Sequence, residues 1–149
     1  MALSKSQSAE EDTNLIFVYG SLMRGMERAS FINNPDKARF VSTGAARGTL
    51  YDAGSFPGMI ESANGSMVVG ELYELFDRDT FFETLDLIEG YWPDQPERSL
   101  YARKTIPVTT HEGTRIAWAY IFNQPVTGFQ KIASGDFRCW ETTAPSLVE

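Results

Sequence analysis

Two short stretches of this sequence carry residues whose types and spacing are suited to chemistry. In the first, "FVYGSLM", an apolar run ends at Tyr19, Gly20, Ser21 and Leu22. A glycine at the end of a strand gives a tight exit from a sheet. It also suits a loop whose backbone N–H groups stay unpaired and point into a cavity, ready for a carboxylate or an oxyanion. From the residues alone both interpretations stay open.

The second stretch, "LDLIEGYW", contains Glu89 at the end of a predicted helix. A carboxylate in the last turn of a helix faces the negative end of the helix dipole. Asp86 adds like charge three residues earlier, and Tyr91 and Trp92 are placed to exclude water. All three effects raise the pKa of a carboxyl group and make it a better base. The alternative interpretation is an exposed, mildly unfavourable surface glutamate.

Several other chemistries lack the residues that they need. The only histidine, His111, falls in a predicted hairpin turn, so a Ser-His-Asp triad has no base. The only cysteine, Cys139, lies beside Arg138, and we interpret it as a packed thiol rather than a nucleophile. Zinc needs more such ligands, and neither "GxxxxGK" nor "GxGxxG" occurs. A magnesium site made of carboxylates alone stays open but has no motif, so we expect no metal ion. Chemistry is left to carboxylates, hydroxyls and backbone amides.

The elements that must position these residues are mostly strands. Strand patterns occur in "LIFVY", "RFVSTG", "ARGTLYDAG", "SMVVGELYEL", "YARKTIPVTT" and "TRIAWAYIFN", and the last two form a predicted antiparallel hairpin. One helix is predicted in "FDRDTFFETLDLIEGYW", with Asp77 as N-cap, Phe81, Leu85 and Ile88 at helical spacing, and Gly90 just past the end. A shorter helix is possible in "ERASFIN". The sequence predicts an α+β fold with a bent mixed β-sheet, one main helix and short accessory helices.

Length and composition favour a single domain. A chain of 149 residues with 42% hydrophobic content can bury one ordinary core. Residues 1–14 and 141–149 are too polar to offset the entropy of ordering, so we expect mobile tails on either side of a domain at 15–140.

The charge balance excludes several classes of partner. The chain has 13 basic and 20 acidic residues, a formal charge of -7, and no basic cluster. Such a surface repels nucleic acids and anionic membranes. No signal-peptide pattern and no long apolar stretch is present. We therefore expect a soluble, cytoplasmic protein that binds neither nucleic acid nor membranes.

The motifs resemble one known family when they are taken together and in order. They are "FVYGSLMRG", "LYDAGSFPGMI", "VVGELYEL", "LDLIEGY", "YARKTIPV", "AWAYIFN" and "SGDF", and they cover about residues 15–137. This set resembles the γ-glutamylcyclotransferase-like (AIG2-like) proteins, which include γ-glutamylamine cyclotransferases and bacterial relatives. The resemblance implies that the bent sheet closes into a small barrel. It also implies that Tyr19, Gly20, Ser21 and Leu22 line the substrate pocket and that Glu89 is the catalytic acid/base.

The same resemblance implies an intramolecular acyl transfer that needs no cofactor. The substrate's α-amine attacks its own γ-carbonyl and releases 5-oxoproline from a γ-glutamyl amine or a γ-glutamyl amino acid. Because both reacting groups belong to one molecule, no protein nucleophile is required. Glu89 would take the proton of the amine and return it to the departing nitrogen. The alternative is a non-catalytic binding module that retains the same pocket.

One departure from the family leaves the substrate open. Many relatives have an Asn-His pair soon after the Arg-Gly step, whereas this chain has Glu27 and Arg28 beyond Gly25. Tyr101 and Phe129 fall where pocket-lining aromatic residues are expected, although core packing explains either of them equally well. The amine half of the substrate therefore cannot be assigned by subfamily.

Overall fold

Five strands of a mixed sheet close into a barrel in the computed structural model, which describes residues 12–20, 22–26, 28–53, 56–62 and 66–138. The strands are β1 (Leu15–Val18), β2 (Ala38–Asp52), β3 (Pro57–Glu61), β4 (Met67–Leu75), β5 (Tyr101–Thr110), β6 (Gly113–Phe122) and β7 (Gln130–Lys131). The order around the barrel is β2-β4-β1-β6-β5, and β5 returns to β2 where Thr109 pairs with Ala45. The predicted closed, bent, mixed sheet is confirmed.

Strand β1 lies at the centre of the sheet and leads directly to the candidate site. It pairs antiparallel with β4 and parallel with β6, and all of its residues are buried. A strand that is covered on both faces has a continuous apolar sequence, which explains "LIFV". Because β1 ends at Val18, the chain leaves the barrel at Tyr19 and Gly20.

Strand β2 is longer than its sequence pattern predicts. "RFVSTG" and "ARGTLYDAG" indicate two separate segments, but they form one strand of 15 residues. Its register against β4 shifts between Phe40 and Ser42, and a bulge of this kind bends a strand and increases its twist. The far end of β2 leaves β4 and pairs with β3 and β7 instead. One bent strand thus serves two parts of the sheet.

The main helix, α1 (Arg78–Glu89), forms as its sequence predicts. The Asp77 side chain accepts a hydrogen bond from the Thr80 amide, and Gly90 has φ 69°, the left-handed conformation of a glycine that ends a helix. The inner face of α1 buries Phe82 and Leu85. Because the helix ends at Glu89, this carboxylate is held on the last turn of a capped, packed element.

The hairpin predicted near the end of the chain is also confirmed. Strands β5 and β6 pair in unbroken antiparallel register from Tyr101 opposite Phe122 to Thr110 opposite Gly113. His111 lies in the connecting turn with 75% of its side chain exposed. This exposure fits a turn residue with no part in a buried site.

The remaining segments are short or partly outside the described residues. The predicted accessory helices are single 3₁₀ turns at Ala29–Phe31 and Pro96–Arg98. Thr13, in the predicted N-terminal tail, donates its hydroxyl to the Ile116 carbonyl at 2.8 Å. Residues 1–11 of the N-terminal tail, Cys139 and the whole C-terminal tail lie outside the described residues. Among the helices that are described, none has the length and apolar character needed to cross a membrane.

Candidate active site

A cavity of about 100 Å³ opens where β1, β3, β5 and the end of α1 converge. This volume is several times what one water molecule needs. Most of the wall is apolar or aromatic, with one carboxylate and one guanidinium among the described lining residues. The lining consists of Phe17, Val18, Tyr19, Gly20, Leu22, Arg28, Phe56, Pro57, Ile88, Glu89, Leu100, Tyr101 and Tyr120.

The loop that follows β1 forms one side of this cavity. Tyr19, Gly20 and Leu22 all contribute to the wall, whereas Ser21 lies outside the described residues. The Gly20 carbonyl accepts a hydrogen bond from the Met23 amide at 3.1 Å. No hydrogen bond joins the amides of Gly20 and Leu22 to another described residue. These two N–H groups therefore have no hydrogen-bond acceptor among the described residues.

Glycine is required at position 20 by space rather than by backbone conformation. The φ angle of Gly20 is not positive, so its backbone conformation is open to other residues. A Cβ atom added to it would lie 2.7 Å from Cγ of Pro57, closer than real Cβ contacts allow. The close approach of β3 to the loop is thus a third reason for the glycine, beside the strand exit and the amide-lined loop that the sequence left open.

Two buried tyrosines hold the wall of the cavity in place. The Tyr19 hydroxyl donates to the Tyr120 carbonyl at 2.6 Å and accepts from the Met59 amide at 3.1 Å. The Tyr101 hydroxyl donates to the Pro57 carbonyl. Burial raises the pKa of both phenols, so they stay neutral at physiological pH. Their hydroxyls fix the loop and β3 instead of exchanging protons.

Glu89 is the titratable carboxylate of the cavity. Its side chain is 14% exposed, and burial raises its pKa to about 7, while the positive charge of Arg28 acts in the opposite direction. A carboxyl group with this pKa is divided between its charged and neutral forms near neutral pH. It can therefore accept a proton and also return it.

The cause of the raised pKa differs in part from the sequence-based expectation. Asp86 does not contribute to it, because its carboxylate faces Arg103, with Nε 2.9 Å from Oδ1 and Nη2 3.2 Å from Oδ2. The Tyr120 hydroxyl donates to the same carboxylate at 2.5 Å. Its charge is thus compensated locally, and the predicted like-charge effect is wrong.

The aromatic residues around Glu89 also differ from those expected. Tyr91 and Trp92 are absent from the cavity wall, and Trp92 is 43% exposed. Phe56, Tyr101 and Tyr120 line the cavity in their place. Phe129 packs edge-on against Phe122, with ring centroids 5.9 Å apart, and does not line it. Of the two expected aromatic residues, only Tyr101 reaches the cavity.

A second buried carboxylate, Glu71, supports the loop from behind, and sequence reasoning missed it. Glu71 is 1% exposed and accepts hydrogen bonds from the Arg24 amide at 2.9 Å, the Tyr73 hydroxyl at 3.0 Å and Arg138 Nη2 at 3.2 Å. Burial acts to raise its pKa, but these donors outweigh burial and lower it. A glutamate inside the apolar strand "VVGELYEL" was the available signal.

Sequence reasoning also gave no role to Arg28. It recorded this residue only as a departure from the family pattern, yet the Arg28 side chain reaches the cavity and lies 3.9 Å from Glu89, measured from Nη1 to Oε2. No His, Cys, Asp or Glu cluster within the described ranges is suited to a metal ion. The polar groups described at this site are therefore a carboxylate, a guanidinium, phenols and amides.

Comparison with known proteins supports the resemblance drawn from the motifs. The family described as gamma-glutamyl cyclotransferase, AIG2-like, matches residues 16–139. The Escherichia coli gamma-glutamylcyclotransferase family protein YtfP is 34% identical over 122 residues, which are 82% of this chain and 94% of that protein. A gamma-L-glutamyl-butirosin B gamma-glutamyl cyclotransferase from Niallia circulans is 29% identical over 111 residues, or 73% of this chain and 67% of the relative.

Solved structures share the fold. A mouse AIG2-like protein superposes with a TM-score of 0.59 at 26% identity, over 72% of this chain and 76% of that one. YkqA from Bacillus subtilis gives a TM-score of 0.69 at 24% identity, and the match covers 89% of this chain but only 42% of YkqA. From the family match, the relatives and the fold, this chain belongs to the AIG2-like gamma-glutamyl cyclotransferase family.

Proposed function

We propose that this protein cyclises a γ-glutamyl amine or γ-glutamyl amino acid and releases 5-oxoproline together with the free amine or amino acid. The observation that carries the proposal is a buried carboxylate with a pKa of about 7, Glu89, in the same cavity as the loop of Tyr19, Gly20 and Leu22. Family membership makes a γ-glutamyl compound the first substrate class to test.

The proposed reaction uses Glu89 twice. Ionised Glu89 takes a proton from the α-ammonium group of the substrate, whose pKa is about 8. The freed amine attacks the γ-carbonyl carbon and closes a five-membered ring. The bond from that carbon to the departing nitrogen breaks, and protonated Glu89 returns its proton to this nitrogen. The extra proton on the ring nitrogen passes to the freed amine, so the products are the neutral lactam ring and an ammonium ion. One substrate molecule yields two products, and no water is consumed.

The loop has a binding role in this proposal. The amides of Gly20 and Leu22 would donate to the α-carboxylate of the substrate or to the oxyanion that forms at its γ-carbonyl. Ser21 belongs to the same predicted binding set. Because the hydroxyls of Tyr19 and Tyr101 are bonded to backbone groups, they would hold the cavity in a shape that favours the folded substrate conformer.

The test compares 5-oxoproline release by the wild type and by Glu89→Gln. Glutamine has nearly the same shape but cannot accept the proton, so we expect turnover to fall by about 10²- to 10⁴-fold while ligand binding, measured by calorimetry, persists. The matched control is Glu83→Gln, because Glu83 is exposed on the same helix and should give wild-type rates.

Two outcomes would contradict the proposal. Near-wild-type activity in Glu89→Gln would remove Glu89 from the mechanism. If the wild type binds γ-glutamyl compounds but releases no 5-oxoproline from γ-glutamyl amines, dipeptides or glutathione, the non-catalytic binding module is the better account.

A further inference from the structure

The cavity contains a positive charge that the proposed reaction does not use. Among the described residues that line the cavity, Arg28 is the only one with a cationic side chain. Its nearest charged partner is Glu89, at 3.9 Å from Nη1 to Oε2, too far for a hydrogen bond. A guanidinium at the edge of a small-molecule cavity is a candidate for ligand binding.

The hydrogen-bonding capacity of Arg28 is largely unused. A guanidinium has five N–H donors in a planar fork, and no hydrogen bond joins the Arg28 side chain to another described residue. Other arginines of the protein are engaged, such as Arg103 with both carboxylate oxygens of Asp86 and Arg39 with Glu74. The planar fork matches a carboxylate, which it can bind through two parallel hydrogen bonds.

The charge of Glu89 compensates Arg28 only in part. Burial brings the pKa of Glu89 to about 7, so near neutral pH a substantial fraction of molecules carries a neutral Glu89. In those molecules none of the described residues of the cavity wall supplies a counter-ion to the guanidinium. An anionic ligand group would supply one.

The depth of the two charged side chains indicates which part of a substrate each can reach. The side chain of Glu89 is 14% exposed and that of Arg28 is 41% exposed, so Arg28 lies nearer the mouth. In this assignment the glutamyl half, which carries the attacking amine and the γ-carbonyl, lies deep beside Glu89. The departing half extends from the same reaction centre towards the mouth.

The spacing fits an amino acid as the departing half. Its carboxylate is attached one carbon away from the departing nitrogen, which places the carboxylate oxygens about 3 Å from that nitrogen. The nitrogen must reach Glu89 to receive a proton, and Arg28 lies 3.9 Å from Glu89. A carboxylate at this position can therefore meet the guanidinium, whereas an alkylamine offers nothing to it.

On these grounds we propose that Arg28 binds the α-carboxylate of the departing amino acid, so that the enzyme favours γ-glutamyl amino acids over uncharged γ-glutamyl amines. The inference rests on the proposed function. Arg28 is then a specificity-determining residue, and the departure from the family pattern at this position has a chemical consequence.

The test uses two substrates that differ only in the carboxylate, γ-glutamyl-L-alanine and γ-glutamylethylamide. For the wild type we expect kcat/KM to favour the alanine compound by about 10- to 100-fold, the range of one charge-assisted hydrogen bond. In Arg28→Gln this ratio should fall to within about threefold of one, mainly through a higher KM for the alanine compound. Arg28→Lys keeps the charge without the fork and should give an intermediate ratio.

The ratio of the two substrates separates recognition from a change in the base. Removing the charge of Arg28 also raises the pKa of Glu89, because this charge acts to lower it, but both substrates share that effect. Arg39→Gln serves as the control for loss of a positive charge, since Arg39 is 61% exposed and pairs with Glu74. We expect it to keep the wild-type ratio.

Each outcome distinguishes this inference from the proposed function. Three results would overturn the role of Arg28 and leave the cyclisation intact. The wild type could show a kcat/KM ratio near one for the two substrates, Arg28→Gln could keep the wild-type ratio, or Arg28→Gln could lose kcat/KM equally for both substrates. If neither substrate yields 5-oxoproline, calorimetry with the same two compounds decides the inference. The proposed function fails if the other γ-glutamyl compounds, glutathione included, also yield none. Tighter binding of the alanine compound that is lost in Arg28→Gln would support it, and equal or absent binding would overturn it.

Discussion

At the scale of single residues, burial is the main determinant of the chemistry at Glu89. The side chain lies at the end of a helix and among aromatic rings, and burial shifts its pKa upward against the nearby charge of Arg28. The sequence predicted a raised pKa but attributed part of it to Asp86. That attribution failed because the partner of Asp86, Arg103, comes from β5, and no local pattern reveals such a distant contact.

A substitution at Gly20 tests the close approach of the loop to β3. In Gly20→Ala the new Cβ atom would lie 2.7 Å from Cγ of Pro57, so the loop or β3 must shift. We expect a loss of about 1–3 kcal/mol in the free energy of unfolding and a rise in KM, because the amides of Gly20 and Leu22 move with the loop. Urea denaturation and steady-state kinetics measure the two effects.

The control for this substitution is Gly113→Ala. Gly113 is the first residue of β6 and has a positive φ, with no atom within 4 Å of an added Cβ. Gly113→Ala should therefore lower stability through backbone strain without any change in KM. A normal KM in Gly20→Ala would show that the loop amides do not position the substrate.

At the scale of elements, helix α1 was predictable and the long strand was not. The caps of α1, Asp77 and Gly90, are next to the helix in sequence, and local signals of this kind can be read from the chain alone. Strand β2 depends on a bulge and on partners far away in sequence. The pattern therefore indicated two segments where there is one strand.

The contact between α1 and the barrel gives a prediction at the same scale. The carboxylate of Asp86 binds Arg103, whose guanidinium lies 4.1 Å from the ring centroid of Phe82 and 5.0 Å from that of Trp118. In Asp86→Asn this partly buried guanidinium loses its counter-ion, so we expect the free energy of unfolding to fall by about 2–3 kcal/mol.

Chemical denaturation of Asp86→Asn and Asp79→Asn provides the comparison. Asp79 is on the same helix with 86% of its side chain exposed, so its loss should change the free energy of unfolding by less than about 1 kcal/mol. If both substitutions lower the free energy of unfolding equally, the Asp86–Arg103 pair does not stabilise the packing of the helix on the barrel.

At the scale of the whole molecule, the barrel brings together residues that are far apart in the chain. The cavity joins the loop after β1, the end of α1 and the start of β5, and each was a separate motif in the sequence. The resemblance to a family linked Glu89 to the loop of Tyr19 to Leu22. Glu71 had a local signal, its place in an apolar strand, but its partners Arg24 and Arg138 were not predictable. The place of Arg28 beside Glu89 was not predictable either, because both sets of contacts depend on how the barrel closes.

The central claim is that Glu89 is a base tuned by burial, and the pH dependence of 5-oxoproline release tests it most directly. The ionised form is the active one, so kcat/KM must fall as the pH decreases through the pKa of Glu89 in the free enzyme. The α-ammonium of the substrate titrates at about 8, on the alkaline side. The account predicts that kcat/KM falls on the acidic side with a pKa of about 7, and that this pKa is unchanged in Glu83→Gln. A limb at the ordinary glutamate value of about 4.3, with constant activity between it and neutrality, would contradict the account.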